Sequence, residues 1–204
     1  MDAVRVALLR EVLAGTEWLQ ATRRFAGALR ASLTPHGGGL LLVGSESYEP
    51  WHLAAHLDDE AAWSGLPELS PTLVRHHVPA AAPAQLSVGL GRIEAARRGE
   101  TLLVVAPDRP GAALLERVHG ARRVGATVFA MDGGQPDAGE LHDIAHDALT
   151  ADSTGLDLDM VQHLVSAAAG ENSSPVPRPR SRRRFRDRLS RLADQLTAPP
   201  PTRW

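Results

Sequence analysis

Short apolar runs separated by segments of helical length most constrain how this chain can fold. The clearest runs are residues 40–43 (LLLV), 101–105 (TLLVV) and 126–131 (ATVFAM). A strand that is covered by helices on both faces is apolar throughout, whereas a half-exposed strand alternates polar and apolar residues. The pattern therefore predicts an α/β protein, a three-layer α/β/α sandwich with about five parallel strands.

The remaining segments complete this alternation of strands and helices. Residues 2–33 predict one long amphipathic N-terminal helix, or two helices with a break near Gly15. The pattern places further helices at residues 50–62, 86–98, 111–124, 138–146 and 157–169, and further strands at residues 72–74 and 148–150. Together these elements give one α/β domain over residues 1–170.

The last 34 residues differ from this domain in composition and charge. Residues 171–180 (ENSSPVPRPR) predict a linker, and residues 181–196 (SRRRFRDRLSRLADQL) predict a basic helix with an apolar stripe. Residues 197–204 are expected to be a disordered end. Residues 171–204, here called the tail, carry nine arginines against three acidic residues, whereas the domain before them carries 13 arginines against 21 acidic residues.

The charge of the tail suggests what it binds. Acidic protein surfaces, nucleic-acid phosphates and anionic membranes all attract clustered arginine. We rank docking to an acidic protein surface, including a neighbouring subunit, before nucleic acid and nucleic acid before a membrane surface. Phe185 and Trp204 are the tail's only aromatic residues, which does not favour base stacking. A merely solvated tail is an equal alternative.

Two residue types are missing, and their absence excludes several kinds of chemistry. The chain has no cysteine, and all 22 of its basic residues are arginine. Disulfides, thiolate metal sites, cysteine nucleophiles and catalytic lysines are therefore excluded, and a bound metal must use His, Asp or Glu.

No apolar run approaches the roughly 20 residues that span a bilayer, and the N-terminus lacks a cleavable apolar segment, so we expect a soluble cytoplasmic protein. The composition is typical of a GC-rich bacterial genome.

Three stretches match the segments of a known domain in order. They are residues 37–57 (GGGLLLVGSESYEPWHLAAHL), 99–134 (GETLLVVAPDRPGAALLERVHGARRVGATVFAMDGG) and 139–153 (GELHDIAHDALTADS). They resemble the sugar isomerase (SIS) domain and, within it, the sedoheptulose 7-phosphate isomerase branch. The resemblance implies a flavodoxin-like SIS fold and a homo-oligomer, a dimer or a tetramer, because SIS sites are usually built between subunits.

The resemblance also implies where an anionic ligand would bind. SIS enzymes hold a sugar phosphate with hydroxyls and backbone amides of two loops that follow the strands predicted at residues 40–43 and 101–105. The first loop supplies Gly44, Ser45 and Ser47 here, and in the second loop Arg109 could act as a bidentate phosphate ligand.

Both loops depart from the family pattern. The second loop reads APDRPG, in which the hydroxyls are missing, two prolines lack an amide donor and Asp108 would repel a phosphate. The first loop is two residues short and carries Glu46 and Glu49. These degenerate loops make ordinary sugar-phosphate binding doubtful.

A metal site is the second feature that the resemblance implies. His52 and His56 lie four residues apart, a spacing that can chelate one metal on one face of a helix. Some members of the branch bind zinc at the corresponding positions, and His163 falls on their helical histidine. The candidate ligands of zinc or another divalent metal are then His52, His56 and His163, with Asp157 or Asp159 standing in for an unmatched glutamine. His56 also replaces the family's acid/base carboxylate, so His163 and His56 are the candidate catalytic residues. The alternative is two exposed histidines on a solvated helix.

The other notable side chains favour simpler interpretations. His142 and His146 repeat the four-residue spacing and are interpreted mainly as a solvated face, with metal binding as the lesser alternative. His76 and His77 would point to opposite faces of a strand and cannot chelate together. The side chains expected to be packing residues are Trp18, Trp51 and Trp63.

Two functions of different class follow. The first is an SIS-fold protein that has lost isomerase catalysis and acts as a sugar-phosphate or anion-binding, regulatory or assembly module. The alternative is a metal-assisted phosphosugar isomerase, in which a metal polarises a carbonyl while a carboxylate or histidine moves the proton. The altered loops favour the first.

Overall fold

A five-stranded, fully parallel sheet forms the middle layer of the fold. The computed structural model describes residues 11, 13–33, 38–134, 139–151 and 156–171. The strands are β1 (Leu40–Gly44), β2 (Pro71–Val74), β3 (Thr101–Ala106), β4 (Thr127–Asp132) and β5 (Asp147–Thr150). They lie in the order β2-β1-β3-β4-β5, and all neighbours are parallel. The prediction of an α/β fold with about five parallel strands is confirmed.

Six α-helices cover the two faces of this sheet within the described residues. They are α1 (Glu17–Leu33), α2 (Trp51–Ser64), α3 (Gly91–Glu94), α4 (Ala112–Arg123), α5 (Gly139–Ile144) and α6 (Leu158–Gly170). Short 3-10 turns lie at Pro67–Leu69 and Ala84–Leu86. None of the described helices is long and apolar enough to cross a bilayer.

The continuous apolar character of the central strands reflects burial on both faces. Every residue of β1 and β3 is buried. Alternate side chains enter two cores: Leu40 and Leu42 pack with α1, α2 and α6, whereas Leu41 and Val43 pack with α3, α4 and α5. Because side chains alternate across a strand, one short apolar run supplies both cores.

The helix predicted over residues 86–98 is wrong, since only α3 (Gly91–Glu94) is α-helical there. The backbone N–H of Arg75 donates to the carbonyl of Val88 at 2.8 Å, and Arg75 pairs with Gly89 in an isolated parallel bridge. This tertiary pairing holds the segment extended. Gly89 and Gly91 also lower the intrinsic helix preference of this segment, so helix formation competes only weakly with the pairing.

Two further expectations are decided by the described residues. The chain turns before α1, with Gly15 at a φ of 86°, so the break expected near Gly15 is present. Trp51 is 40% exposed and Trp63 is 48% exposed, so the prediction that they are packing residues is wrong. Trp18 does pack against the core. Apart from Glu171, the predicted linker, basic helix and disordered end lie outside the described residues.

Parallel strands place the loops at their carboxyl ends along one edge of the sheet. Residues 45–50 follow β1 and are here called the serine loop, and residues 107–111 follow β3 and are called the proline loop. The serine loop leads directly into α2, and α6 packs along α2. This edge therefore gathers both loops and the first turn of α2.

Candidate functional site

Two hydroxyls of the serine loop bind a carboxylate of the proline loop. Ser45 donates a hydrogen bond to Oδ1 of Asp108, and Ser47 donates one to Oδ2. Ser45 is 1% exposed. The bonds from Ser45 and Ser47 hold the pKa of Asp108 below its usual range, although partial burial acts in the opposite direction. The protein's own carboxylate, that of Asp108, is therefore bound to both hydroxyls.

A tight backbone turn brings the two serines together. A side chain at Gly44 would overlap the carbonyl oxygen of Tyr48 and would lie 2.8 Å from Cδ of Pro50. Only glycine lets the loop fold back over the end of β1 in this way. His76 then fixes the turn, because its Nε2 lies 2.9 Å from the carbonyl oxygen of Gly44 and donates to it. His76 thus supports the loop, a role that its sequence position did not indicate.

The far end of the serine loop is fixed by a charged cluster. Glu49 accepts from Nε of Arg75 at 3.1 Å and from Nε1 of Trp51 at 2.7 Å. The guanidinium of Arg75 lies 4.9 Å from the ring centroid of Trp51, within the range of a cation–π interaction. Arg75 therefore interacts with both Glu49 and Trp51.

Arg109, the candidate phosphate ligand of the proline loop, makes an ion pair elsewhere. Its Nη2 lies 3.3 Å from Oε1 of Glu140 on α5, and both side chains are about 60% exposed. Of the four ligand-binding candidates, Gly44, Ser45 and Ser47 form one unit, while Arg109 is engaged with α5.

Packing of α2 against α6 brings three histidines together. The ring centroids of His52 and His56 are 5.3 Å apart, those of His52 and His163 are 5.6 Å apart, and those of His56 and His163 are 4.5 Å apart. We call these residues the histidine cluster. The i, i+4 spacing on α2 places the first two on one face, and α6 supplies the third.

His56 is the most unusual member of the histidine cluster. It is 6% exposed, and neither of its ring nitrogens has a hydrogen-bond partner among the described residues. Burial, followed by the nearby His163 and His52, lowers the pKa of His56 to about 4. The ring is therefore neutral at physiological pH, with a nitrogen lone pair available for bonding.

The three rings are not arranged around a common metal position. An imidazole holds a metal in the plane of its ring, yet the rings of His52 and His56 stack at 15° from parallel. Within the part of the chain that the structure describes, no group of three or more His, Asp or Glu side chains is arranged to hold a metal ion. Asp157 instead caps α6, accepting from the backbone N–H of Met160 at 2.7 Å. The arrangement as it stands does not fit a metal, and the zinc site stays a prediction.

An open depression borders the histidine cluster. Its volume is about 370 Å³, and its lining residues are Tyr48, Glu49, Trp51, His52 and Asp159. The hydroxyl of Tyr48 accepts from Nε2 of Gln162 at 3.0 Å and lies 3.5 Å from Oδ1 of Asp159. Burial raises the pKa of Tyr48, although the hydrogen bond from Gln162 lowers it. Sequence reasoning missed Tyr48 and Gln162, because 114 residues separate them and no local spacing links them.

A second polar group at the carboxyl end of β4 was also missed. Asp132 is 1% exposed and binds Nε2 of His142 at 2.6 Å, Oγ1 of Thr150 at 3.0 Å and the backbone N–H of Gly134 at 2.8 Å. Nδ1 of His146 accepts from the backbone N–H of Val128 at 3.0 Å. The side chain of His142 is 35% exposed and His146 is exposed, which agrees with a solvated face, and both rings also bond to the sheet.

Comparison with known proteins shows similarity of fold. No family model matches the sequence, and no curated protein matches it. A candidate sugar binding protein from Salmonella typhimurium LT2 has a similar structure, with a TM-score of 0.53 and 14% identity over 94% of this chain. This chain spans about half of that protein's length, 53%.

Two other solved structures are also similar. The sugar isomerase domain of an RpiR transcription factor from Sphaerobacter thermophilus is 16% identical over 94% of this chain and 98% of that chain, with a TM-score of 0.49. A phosphoheptose isomerase from Francisella tularensis is 15% identical over 82% of this chain and 88% of that chain, with a TM-score of 0.45. At such identities the likeness concerns the fold alone. The parallel five-stranded sheet with its flanking helices is a three-layer α/β fold, which this chain shares with that sugar binding protein.

Proposed function

We propose that the protein has an SIS-type fold but does not catalyse isomerisation. It acts instead as a binding or regulatory module. The observation that carries this proposal is the carboxylate of Asp108 on the hydroxyls of Ser45 and Ser47. In the enzymes that the sequence resembles, hydroxyls of this loop hold the sugar phosphate. A phosphate or related anion would have to displace two charge-assisted hydrogen bonds and then lie beside the released carboxylate.

The proline loop weakens phosphate binding further. Pro107 and Pro110 have no backbone N–H to donate, so the loop cannot surround an anion with amides as a phosphate loop does. Arg109 would have to leave Glu140 before it could reach an anion at the serine loop. These features support a module whose ordinary phosphosugar site is closed by its own residues.

Turnover and binding of sedoheptulose 7-phosphate test this proposal. We expect the wild-type protein not to isomerise this sugar phosphate, and we expect Asp108→Ser to bind it at least about tenfold more tightly than the wild type, about 1.4 kcal/mol. Asp143→Ser on α5 is the matched control and should bind as the wild type does. Turnover by the wild-type protein, or tight binding that Asp108→Ser leaves unchanged, would contradict the proposal.

A metal-assisted phosphosugar isomerase is the second candidate, supported by the histidine cluster and by the nitrogens of His56, which have no hydrogen-bond partner among the described residues. The ring of His52 would have to rotate out of its stack before it could share an ion with the others. Elemental analysis of the purified, untagged protein decides between the candidates. Near-stoichiometric zinc that is lost in His52→Ala and His163→Ala, and kept in the exposed control His119→Ala, would favour the isomerase. Metal-free protein would exclude it.

The proposal extends to assembly. We expect a homo-oligomer, a dimer or a tetramer, and docking of the basic tail on an acidic surface of a neighbouring subunit or another protein. The opposite charges of residues 1–170 and of the tail, −8 and +6, support this. Because salt screens such attraction, the solution mass measured by light scattering should fall as ionic strength rises if the tail holds the oligomer together. A mass that is independent of salt would contradict tail-mediated assembly.

A further inference from the structure

The open depression beside the histidine cluster combines an aromatic surface with polar side chains. Trp51, which is 40% exposed, and Tyr48 supply ring surface, while His52 and Asp159 supply polar atoms. Sites that bind hydroxyl-rich rings use this combination, because an aromatic face covers the C–H side of the ring and planar polar groups hold its hydroxyls. The depression therefore offers both kinds of group that bind a sugar ring.

The charges at the depression disfavour an anionic ligand. Its lining contains the carboxylates of Glu49 and Asp159 and no arginine. The nearby Arg75 already binds Glu49 at 3.1 Å and lies over Trp51. In the adjacent serine loop, the two hydroxyls are bound to Asp108. A phosphate group would meet two carboxylates and no uncommitted cation among the lining residues.

The hydrogen-bonding groups at the depression suit neutral hydroxyls. Oδ1 of Asp159 accepts from Nε2 of Gln162 at 3.3 Å, which leaves the other carboxylate oxygen and further lone pairs for incoming donors. Gln162 is 2% exposed and also holds the hydroxyl of Tyr48 at 3.0 Å, so both polar groups have fixed positions before a ligand arrives. Fixed partners lower the entropic cost of binding a flexible polyol.

We propose that this depression binds an uncharged, unphosphorylated sugar or polyol. The inference rests on the proposed function, because the closure of the serine loop by Asp108 is what removes the phosphate site beside it. Trp51 covers the apolar face of the sugar ring, and Asp159 and Tyr48 hold its hydroxyls.

Ligand-observed saturation-transfer NMR on the full-length protein tests the inference. The probes are free pentoses, hexoses and heptoses, each paired with its terminal phosphate. We expect at least one free sugar to bind and its phosphate to bind at least about tenfold more weakly, a difference of about 1.4 kcal/mol. Asp159→Asn and Trp51→Ala should each weaken binding of the free sugar by about tenfold. Trp63→Ala, an exposed tryptophan at the other end of α2, should leave it unchanged.

Three results would overturn the inference: no free sugar of the panel binds, the phosphates bind more tightly than the free sugars, or the Asp159 and Trp51 variants both bind like the wild type. Asp159 is exposed on α6, so its conservative variant should fold even where Trp51→Ala does not. If the panel fails while Asp108→Ser gains affinity for sedoheptulose 7-phosphate, the sugar site is wrong and the proposed function still holds. Turnover by the wild type would contradict the proposed function instead.

Discussion

The serine loop and the histidine cluster lie next to each other, yet they differ in whether their polar groups have hydrogen-bond partners. In the loop, Ser45, Ser47 and Glu49 all have close partners from neighbouring segments. In the cluster, His56 is 6% exposed and both of its ring nitrogens are unpartnered within the described residues. Burial of an unpartnered polar group costs about 1–3 kcal/mol. The loop is thus a completed structural unit, whereas the cluster keeps unused bonding capacity inside the fold.

The largest effect should come from the turn on which the serine loop depends. Gly44→Ala would place a methyl group against the carbonyl oxygen of Tyr48, which is backbone and cannot move aside. We expect the free energy of unfolding to fall by about 4 kcal/mol. Gly27→Ala in α1, where nothing lies within 4 Å of the new methyl, should raise it by about 1 kcal/mol. Urea unfolding measures both, and equal effects would show that the loop is not a rigid unit.

The second effect tests the histidine cluster through pH. The pKa of His56 is lowered to about 4 from an ordinary value of 6.5, so the unfolded chain binds a proton more readily than the native protein does. Stability should therefore be greatest above pH 6.5 and should fall by up to about 3 kcal/mol as the pH drops towards 4. Urea titrations of the metal-free protein at a series of pH values, with chelator present, measure this loss.

His56→Leu provides the control for that pH dependence. It removes the titrating group and two ring nitrogens that lack partners within the described part of the chain, so the variant should lose this part of the pH dependence and gain about 1 kcal/mol at pH 7. His119→Leu, at an exposed position of α4, should behave as the wild type. Destabilisation by His56→Leu at pH 7 would show that the imidazole has a bonding role.

A smaller effect tests the closure of the serine loop. Asp108→Asn keeps the size of the side chain but removes the charge that Ser45 and Ser47 stabilise. Because Asp108 is exposed, we expect a loss of only about 1 kcal/mol at pH 7. The pKa of Asp108 lies below its ordinary 3.8, so the wild type should keep this contribution above pH 3.8 and lose it as pH falls through the lowered value. Equal urea midpoints for Asp108→Asn and the control Asp143→Asn would count against a closed loop.

The smallest effect should come from Arg109. Its ion pair with Glu140 is about 60% exposed at both ends, and such surface pairs contribute roughly 0–1 kcal/mol. Arg109→Ala should therefore change the free energy of unfolding by less than about 0.5 kcal/mol, as Glu140→Ala should. If Arg109→Ala also abolished binding of a sugar phosphate, the proline loop would be a phosphate site after all.

Local sequence pattern predicted the strands well and the functional contacts only in part. The runs at 40–43, 101–105 and 126–131 were recognised because burial on both faces leaves a continuous apolar signal. The helix over residues 86–98 was predicted wrongly, since pairing of Arg75 with Gly89 lies outside any local window. The repulsion of phosphate by Asp108 was anticipated from its charge, but its bonds to the serine loop were not, because they join residues more than 60 positions apart.

The sequence by itself determined the layered α/β architecture of the described residues, and it singled out the three histidines through helical spacing and a family resemblance. Periodicity and burial act over a few residues, so they can be read along the chain. Only the tertiary structure decided that Asp108 occupies the serine hydroxyls, that His52 and His56 stack at 15°, and that Tyr48 meets Gln162. Each of these depends on the directions of side chains from separate elements, which packing sets and a linear pattern does not contain.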